Sequence, residues 1–432
     1  MKLKMNRTHR ALMMLVISIC PALSFAQHTY TLDECQEMAL QNNVRIKNAD
    51  NALNAARLQK KSAFTSYFPS VSATGGGFIS DKGLLEMDTE SGRLSLIDNG
   101  IVGGVTATLP FFTGGQIINA NKLADVNVDV SRLQRRQSEN EVKLTVEQYF
   151  WQVVTLKEKL RTIGTLQTQL EQIHQDVKTA VAAGVTNRND LLQVELRKNE
   201  MRSKHISLTN TLEVSLQLLA QYIGCPMDST KRMDVYWEMD GELPVRPDEF
   251  YRSPESSLPL TVEYHLLNKQ VDASRLQYKM TLGKNLPTVA LGGGYVYENL
   301  MDRSHSFWIG GVTVSVPLTK WWGGSYDMKR QKLQVHNSEN QLTDQSELLI
   351  IRMRNSWNAM NDAYQQVQIA IESIGQAKEN LRLQSDYYQA GTCTMSDLLE
   401  AQALCQQSRD NYVESYSQYE IKKREYLLAT GR

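Results

Sequence analysis

Three acidic residues could take part in chemistry: Asp190, Asp397 and Glu400. They lie in two short segments whose sequences resemble each other. The segments are AAGVTNRNDLLQVE at 182–195 and QAGTCTMSDLLEAQ at 389–402. An acid three residues after Asn or Thr is typical of a helix N-terminus, where the carboxylate caps backbone amides and interacts favourably with the helix dipole. Glu400 lies one turn beyond Asp397 and is not required for such a cap. Capping and a functional carboxylate cluster therefore both remain open.

The rest of the sequence gives no sign of catalysis or of a metal site. It pairs no nucleophile with a base, and its histidines are scattered. Its cysteines have neither CxxC nor metal-ligand spacing, so the sequence assigns no pairing. We interpret as free thiols the four that follow the N-terminal segment: Cys35, Cys225, Cys393 and Cys405. Basic and acidic residues both number 47, so no basic field indicates nucleic acid. We therefore expect no enzymatic activity, no cofactor, no metal ion and no nucleic-acid partner.

The two segments belong to a longer internal repeat that must position these acids. At an offset of 207 residues, Gly184 aligns with Gly391, and the Asp-Leu-Leu motif at 190–192 aligns with 397–399. Upstream, FPSVSATGGG corresponds to LPTVALGGG. The order in each copy is helix, strand, strand, long helix, turn and long helix. Self-similarity on this scale indicates a chain built from two copies of one unit.

Each copy contains a very long predicted helical segment. Pro110 and Pro226 bracket 115 residues without proline, and Pro317 is followed by another 115. The first segment carries apolar residues at spacings of three and four, which is a coiled-coil seam. Its seven-residue steps are Tyr149, Leu156, Ile163, Leu170 and Val177. A helix over 116–182 would be on the order of 100 Å long, and such a stripe has to be buried against other helices and other copies.

Two segments in each copy alternate apolar with small or hydroxyl residues, for example VTATL at 105–109 and VTVSV at 312–316. This pattern suits a strand between lipid and a wet lumen, and it also suits a soluble hairpin with one solvated face. One chain supplies two hairpins, and a sheet that crosses a membrane has to close. The smallest bacterial barrels have about eight strands. If the strands span a membrane, several chains therefore share the barrel.

The N-terminus has the features of a secretory signal peptide. Basic residues precede the apolar run ALMMLVISIC, and the segment ends in Ser24-Phe25-Ala26. We predict a signal peptide at 1–26 and a mature chain beginning at Gln27. Ile19 before Cys20 argues against a lipid-modified cysteine.

The repeat and its prolines give a division of the exported chain. We predict a first repeat at 27–225, an irregular connector at 226–260 that is rich in proline, and a second repeat at 261–432. The predicted β-hairpins lie at about 68–111 and 286–318, and the predicted turns between long helices lie at about 183–189 and 390–396.

Two segments, TLDECQEMALQNN at 31–43 and YYQAGTCTMSDLLEAQ at 387–402, resemble the outer-membrane efflux protein family named for TolC. The resemblance covers the whole mature chain. It implies an α+β membrane protein with two internal repeats, located in the outer membrane of a Gram-negative bacterium. Each chain would give four strands to a shared barrel of about 12 strands, continued by a long coiled-coil α-helical tunnel in the periplasm.

The family resemblance also implies a function and partners. Members are homotrimeric, passive exit channels of tripartite efflux or type I secretion systems, embedded in outer-membrane lipid. They dock to a periplasmic adaptor (membrane fusion) protein and serve an inner-membrane transporter of the RND, ABC or MFS type. The alternative from a different class is a non-conducting exported coiled-coil scaffold or adhesin.

Carried over residue by residue, the resemblance assigns roles to both turns. Gly184, Val185, Gly391 and Thr392 match the tips that adaptor hairpins engage. The acids Asp397 and Glu400 match a pair that rings the periplasmic entrance of the channel. The family gate places an arginine two residues after the tip glycine, where this chain has Cys393, so that clamp is not implied here. Asp190 is the candidate for another gate latch.

Overall fold

The computed structural model describes residues 28–81, 85–89, 92–96, 99–226, 233–237, 243–300, 303–318 and 320–432. The predicted signal peptide, its cleavage site after Ala26 and Cys20 lie outside these ranges. Over the described residues, no helix combines the length and the apolar character needed to cross a bilayer.

The first copy consists of a short strand, two helices, four strands and two long helices. In chain order they are β1 (His28–Tyr30), α1 (Leu32–Asn42), α2 (Val44–Thr65), β2 (Ser70–Ile79), β3 (Leu85–Thr89), β4 (Gly92–Leu96), β5 (Asn99–Phe112), α3 (Gln116–Ala182) and α4 (Arg188–Ile223). Pairing of β3 with β4 adds a hairpin between the two main strands, which the sequence pattern did not predict.

The connector supplies two short elements, and the second copy then repeats the helix, the two main strands and the two long helices. In chain order the elements are β6 (Met233–Val235), α5 (Pro254–Ser257), α6 (Val262–Gly283), β7 (Thr288–Leu300), β8 (Arg303–Ser315), α7 (Lys320–Gln389) and α8 (Met395–Ala429). The connector is less irregular than its prolines suggest, because it also contains 3-10 turns and because β6 pairs in parallel with β1.

One four-stranded antiparallel sheet combines the strands of both copies, in the order β2-β5-β7-β8. The two central strands, β5 and β7, lie close together because glycines in each strand face the backbone of the other. A Cβ on Gly104 would lie 2.6 Å from the Tyr295 carbonyl oxygen, and one on Gly294 would lie 2.6 Å from that of Val105. Both approaches are shorter than any side chain tolerates, so the glycine-rich segments allow the two copies to join edge to edge.

The long helices pack through the predicted seam. Helix α3 has 67 residues and packs against α2, α4, α6 and α8. Four of the five seven-residue steps are buried, and Tyr149 is half-buried. The largest apolar cluster joins α1, α3 and α4 around Phe150, far along the helices from the turns. The sheet therefore lies at one end of the helices, and the two helix turns lie at the other.

Candidate functional site

Each pair of long helices turns over at a glycine in the left-handed conformation. The φ angle is +72° at Gly184 and +71° at Gly391, where a side chain would clash with the backbone. The amide of the next residue, Val185 or Thr392, donates a hydrogen bond to the carbonyl five residues earlier, at 2.9 Å in both turns. This is the Schellman arrangement that satisfies the last carbonyls of a helix. The two copies therefore turn in the same way.

Both turns are open to solvent in a single chain. The Val185 side chain is 80% exposed, and Thr392 is also exposed. Apart from the glycine and its two chain neighbours, no described residue has an atom within 4 Å of a Cβ placed on Gly184 or Gly391. The four residues predicted as docking tips thus form two small, protruding surfaces that the rest of the chain leaves uncovered.

Asp397 closes a capping box at the start of α8. The Thr394 hydroxyl and amide donate to Asp397 Oδ2 at 2.6 and 2.8 Å, and the Asp397 amide donates to Thr394 Oγ1 at 3.3 Å. These hydrogen bonds hold the pKa of Asp397 below its usual range. Asp397 is therefore a carboxylate at neutral pH and a helix cap. Glu400 follows on the same exposed side of α8.

The corresponding start of α4 is built differently. Asn187 is the N-cap residue, yet its side chain makes no capping hydrogen bond. The Asp190 carboxylate instead accepts a hydrogen bond from the Thr186 hydroxyl. The sequence suggested that Asn187 and Asp190 form a capping pair. This prediction is wrong, because the Asp190 carboxylate accepts its hydrogen bond from the Thr186 hydroxyl instead.

Asp190 and Thr186 connect the first turn to the second. The Tyr388 hydroxyl, at the end of α7, lies beside the Thr186 side chain and interacts with it. Burial and the nearby Asp190 charge raise the pKa of Tyr388. The three half-buried residues form a chain of polar contacts between the two helical hairpins. Sequence reasoning missed Tyr388 and Thr186, although Tyr388 stands only three residues before the tip glycine.

Apolar packing holds the turns side by side. A buried cluster joins Val177 and Val194 of the first hairpin to Met395 and Leu398 of the second. At its edge the Ser396 hydroxyl donates to Gln193 Oε1 at 3.1 Å. The two tip surfaces therefore lie side by side as one exposed end of the chain.

A groove of about 990 Å³ opens between α3 and α7 beside this surface. Val185, Asp190 and Cys393 all line it. Cys393 is half-buried, and its thiol donates to the Gln384 carbonyl at 3.4 Å. Burial and the Asp397 charge raise the pKa of the Cys393 thiol. This position therefore offers a neutral thiol, which cannot replace the charge of an arginine.

The predicted acids of the two turns bond to different partners. Asp190 bonds to Thr186 and Asp397 bonds to Thr394, while both Asp397 and Glu400 are exposed. In the part of the chain that the structure describes, no group of three or more His, Cys, Asp or Glu side chains is arranged to bind a metal ion.

The chain matches a known family over most of its length. Residues 36–225 and 267–432 each match the family described as outer membrane efflux protein. The two matched segments coincide with the two copies, which confirms the internal repeat. No curated protein sequence matches the chain.

Solved structures show the same fold at low sequence identity. The CmeC outer membrane channel of Campylobacter jejuni is 15% identical, with a TM-score of 0.77 over 93% of this chain and 85% of that one. The outer membrane protein VceC of Vibrio cholerae is 12% identical, with a TM-score of 0.77 over 93% and 96%. The open-state MtrE channel of Neisseria gonorrhoeae is 14% identical, with a TM-score of 0.71 over 95% and 92%. The predicted TolC-like fold is confirmed.

Proposed function

This chain belongs to the outer membrane efflux protein family, and from this premise we propose that it is the exit channel of a tripartite efflux or type I secretion system. The protein is located in the outer membrane, with its helices in the periplasm. In our proposal it conducts substrates passively, and an inner-membrane transporter of the RND, ABC or MFS type supplies the energy.

The observation that carries the proposal is the open four-stranded sheet. Its outer strands, β2 and β8, each have one neighbour within the described part of the chain. A sheet in lipid cannot leave backbone groups unpaired at its edges. Pairing of β8 with β2 of a neighbouring copy would close the sheet, and three copies would supply about twelve strands, enough to enclose a channel.

The helices support the same assembly. Apolar side chains stay exposed along α4 and α7, which lie on opposite flanks of the chain. They include Leu196, Ile206 and Val214 on α4, and Leu333, Leu348 and Ile351 on α7. Long exposed apolar stripes indicate surfaces that partner helices cover. We infer that α4 of one copy packs against α7 of the next.

In the proposed trimer, the residues at the helix turns would have three roles. Three copies would bring Asp397 and Glu400 around the periplasmic entrance, where converging carboxylates attract cations. The chain of contacts from Asp190 through Thr186 to Tyr388 would hold the two hairpins of each copy together and act as the gate latch. The exposed turns at Gly184-Val185 and Gly391-Thr392 would bind the periplasmic adaptor.

The experiment that tests the assembly is light scattering of the detergent-solubilised protein, corrected for bound detergent. We expect three chains per particle. A monodisperse monomer would contradict the proposal, because one sheet of four strands cannot enclose a channel. A non-conducting scaffold could also be trimeric, so ion conduction decides between that alternative and a channel.

A further inference from the structure

The two ends of the first copy meet in the structure. Asn43, which follows α1, donates from Nδ2 to the Tyr222 carbonyl at the end of α4, at 2.8 Å. Gly224 lies so close that a Cβ on it would come within 2.4 Å of the Asn42 Cβ. The chain segment that leaves α4 therefore runs directly along α1.

Two cysteines lie in this junction. Cys35 on α1 is fully buried. Cys225 follows α4, is half-buried, and packs against the apolar cluster that contains Cys35. The Tyr30 hydroxyl hydrogen-bonds the Cys225 thiol and also lies within electrostatic range of Cys35. Both thiols thus belong to one apolar cluster, with Cys35 inside it and Cys225 at its partly exposed edge.

We propose that Cys35 and Cys225 form a disulfide in the exported protein. Outer-membrane proteins pass through a compartment that oxidises thiols, and the fold brings this pair into one cluster. The structure shows no bond between them, and the sequence alone assigns no pairing. Cys393 and Cys405 lie in and beyond the second turn, on elements away from this junction.

The exposure of the two thiols sets the order of the reaction. Burial, together with the charges of Cys225 and Glu34, raises the pKa of Cys35 to about 12. A buried, protonated thiol does not attack an external oxidant. Cys225 therefore reacts first, and Cys35 can react only with a sulfur already held beside it.

The oxidant required is a disulfide, carried by a periplasmic dithiol oxidase. The Cys225 thiolate attacks one sulfur of that disulfide, whose S–S bond breaks and releases a thiolate. The released thiolate or water takes the Cys35 proton, and the Cys35 sulfur attacks Cys225 Sγ in the mixed disulfide. The second oxidant thiolate leaves. Two protein thiols are thereby oxidised to one disulfide, and the oxidant disulfide is reduced to a dithiol.

The bond would join the beginning of the first copy to its end. It would enclose β2, β5, α3 and α4 in one covalent loop, immediately before the connector. Closing a loop of this length restricts the unfolded chain strongly. The disulfide would therefore stabilise the first copy while leaving both turns and the sheet edges unchanged.

The test is thiol mapping of the protein in its own outer-membrane fraction. Membranes are quenched in acid, denatured with excess N-ethylmaleimide, and digested without reductant for mass spectrometry. We expect one linked pair of peptides containing Cys35 and Cys225, whose summed mass rises by about 2 Da on reduction. Peptides with Cys393 and Cys405 should carry the alkylating group. Alkylated Cys35 and Cys225, or either one joined to another thiol, would overturn the proposal.

Matched variants give a second readout. A reductant should lower the Tm of the natural protein and of Cys405→Ser, which changes another buried cysteine. The same reductant should leave the Tm of Cys225→Ser unchanged, because that variant has no bond to lose. Equal responses of Cys405→Ser and Cys225→Ser would contradict the disulfide. Neither readout depends on conduction, so failure here leaves the proposed channel untouched.

Discussion

Glu147 on α3 accepts a hydrogen bond from Arg424 on α8, with 2.6 Å between Arg424 Nε and Glu147 Oε2. The Glu147 side chain is 2% exposed, and Gln36 of α1 donates to the same oxygen at 3.4 Å. The bond therefore ties the first copy to the last helix of the second. Burial outweighs the attraction of the guanidinium and raises the pKa of Glu147.

Arg424→Met should destabilise the protein by about 3–5 kcal/mol at neutral pH, because it leaves a buried carboxylate without its cation. Urea or thermal unfolding measures the loss. The matched control is Arg275→Met, which removes an exposed pair with Glu339 and should cost far less, because solvent screens an exposed ion pair. Similar losses in both variants would show that the buried pair has no special role.

The cost of Arg424→Met should shrink on acidification. The pKa of Glu147 is raised in the folded state, so folding takes up a proton, and the stability contributed by Glu147 falls as pH rises from its unfolded pKa through its folded pKa. Without Arg424, the ionised Glu147 carboxylate pays the full free-energy cost of burying an unpaired charge, whereas the protonated carboxyl does not. We expect the gap between variant and natural protein to be largest at neutral pH. A gap that is constant down to pH 4.5, the ordinary value, would contradict this reason.

Tyr388→Phe should favour the open channel, because it removes the hydroxyl that interacts with the Thr186 side chain across the two hairpins. We expect more frequent openings or larger conductance in single-channel records. The matched control is Tyr387→Phe, at the exposed neighbouring position, which should leave the records unchanged. If both variants conduct like the natural protein, the contact does not act as a latch.

Asp397→Asn combined with Glu400→Gln should weaken cation selectivity, because it removes the carboxylates at the entrance. The reversal potential under a salt gradient should move toward zero, and block by multivalent cations should weaken. In the single variant Glu400→Gln, the remaining cation selectivity depends on the Asp397 carboxylate. It should persist below pH 3.8, the ordinary pKa of an aspartate, because the pKa of Asp397 is lowered. An unchanged reversal potential in the double variant would leave capping as the role of Asp397.

Val185→Glu should abolish docking of the adaptor while leaving the trimer intact, because this side chain is 80% exposed in the chain. Val185→Thr, of nearly the same shape, is the matched control and should dock normally. Cys393 gives the local readout. A water-soluble maleimide should label it slowly, since its thiol is half-buried with a raised pKa, and bound adaptor should slow labelling further. Equal rates of Cys393 labelling with and without adaptor would show that the adaptor docks elsewhere.

The features predicted best from the sequence are those fixed by periodicity. The seven-residue apolar steps and the absence of proline predict α3, which begins at Gln116 and ends at Ala182. Alternation predicts the strands of the main sheet, and glycines with φ above +70° stand at both predicted turns. Each of these signals is local, so one sequence is enough to find it.

The features missed depend on contacts between distant residues. The sequence does not show that Tyr388 reaches Thr186, or that Asp190 bonds to Thr186 rather than to the Asn187 amide. Nor does it place Cys225 against the apolar cluster that contains Cys35, because the two cysteines lie at opposite ends of the first copy in the sequence. Such contacts follow from how the helices pack, and no spacing in the chain encodes them.

Conductance in a planar lipid bilayer tests the central claim most directly. The purified natural protein is added to one side of the membrane, and the variant Tyr388→Phe is measured in parallel to guard against a channel that stays closed. We predict discrete current steps of uniform size, with cations favoured over anions. Correctly assembled trimers that insert into the membrane and pass no current, in the natural protein and in the variant alike, would contradict the proposed exit channel and favour the non-conducting scaffold.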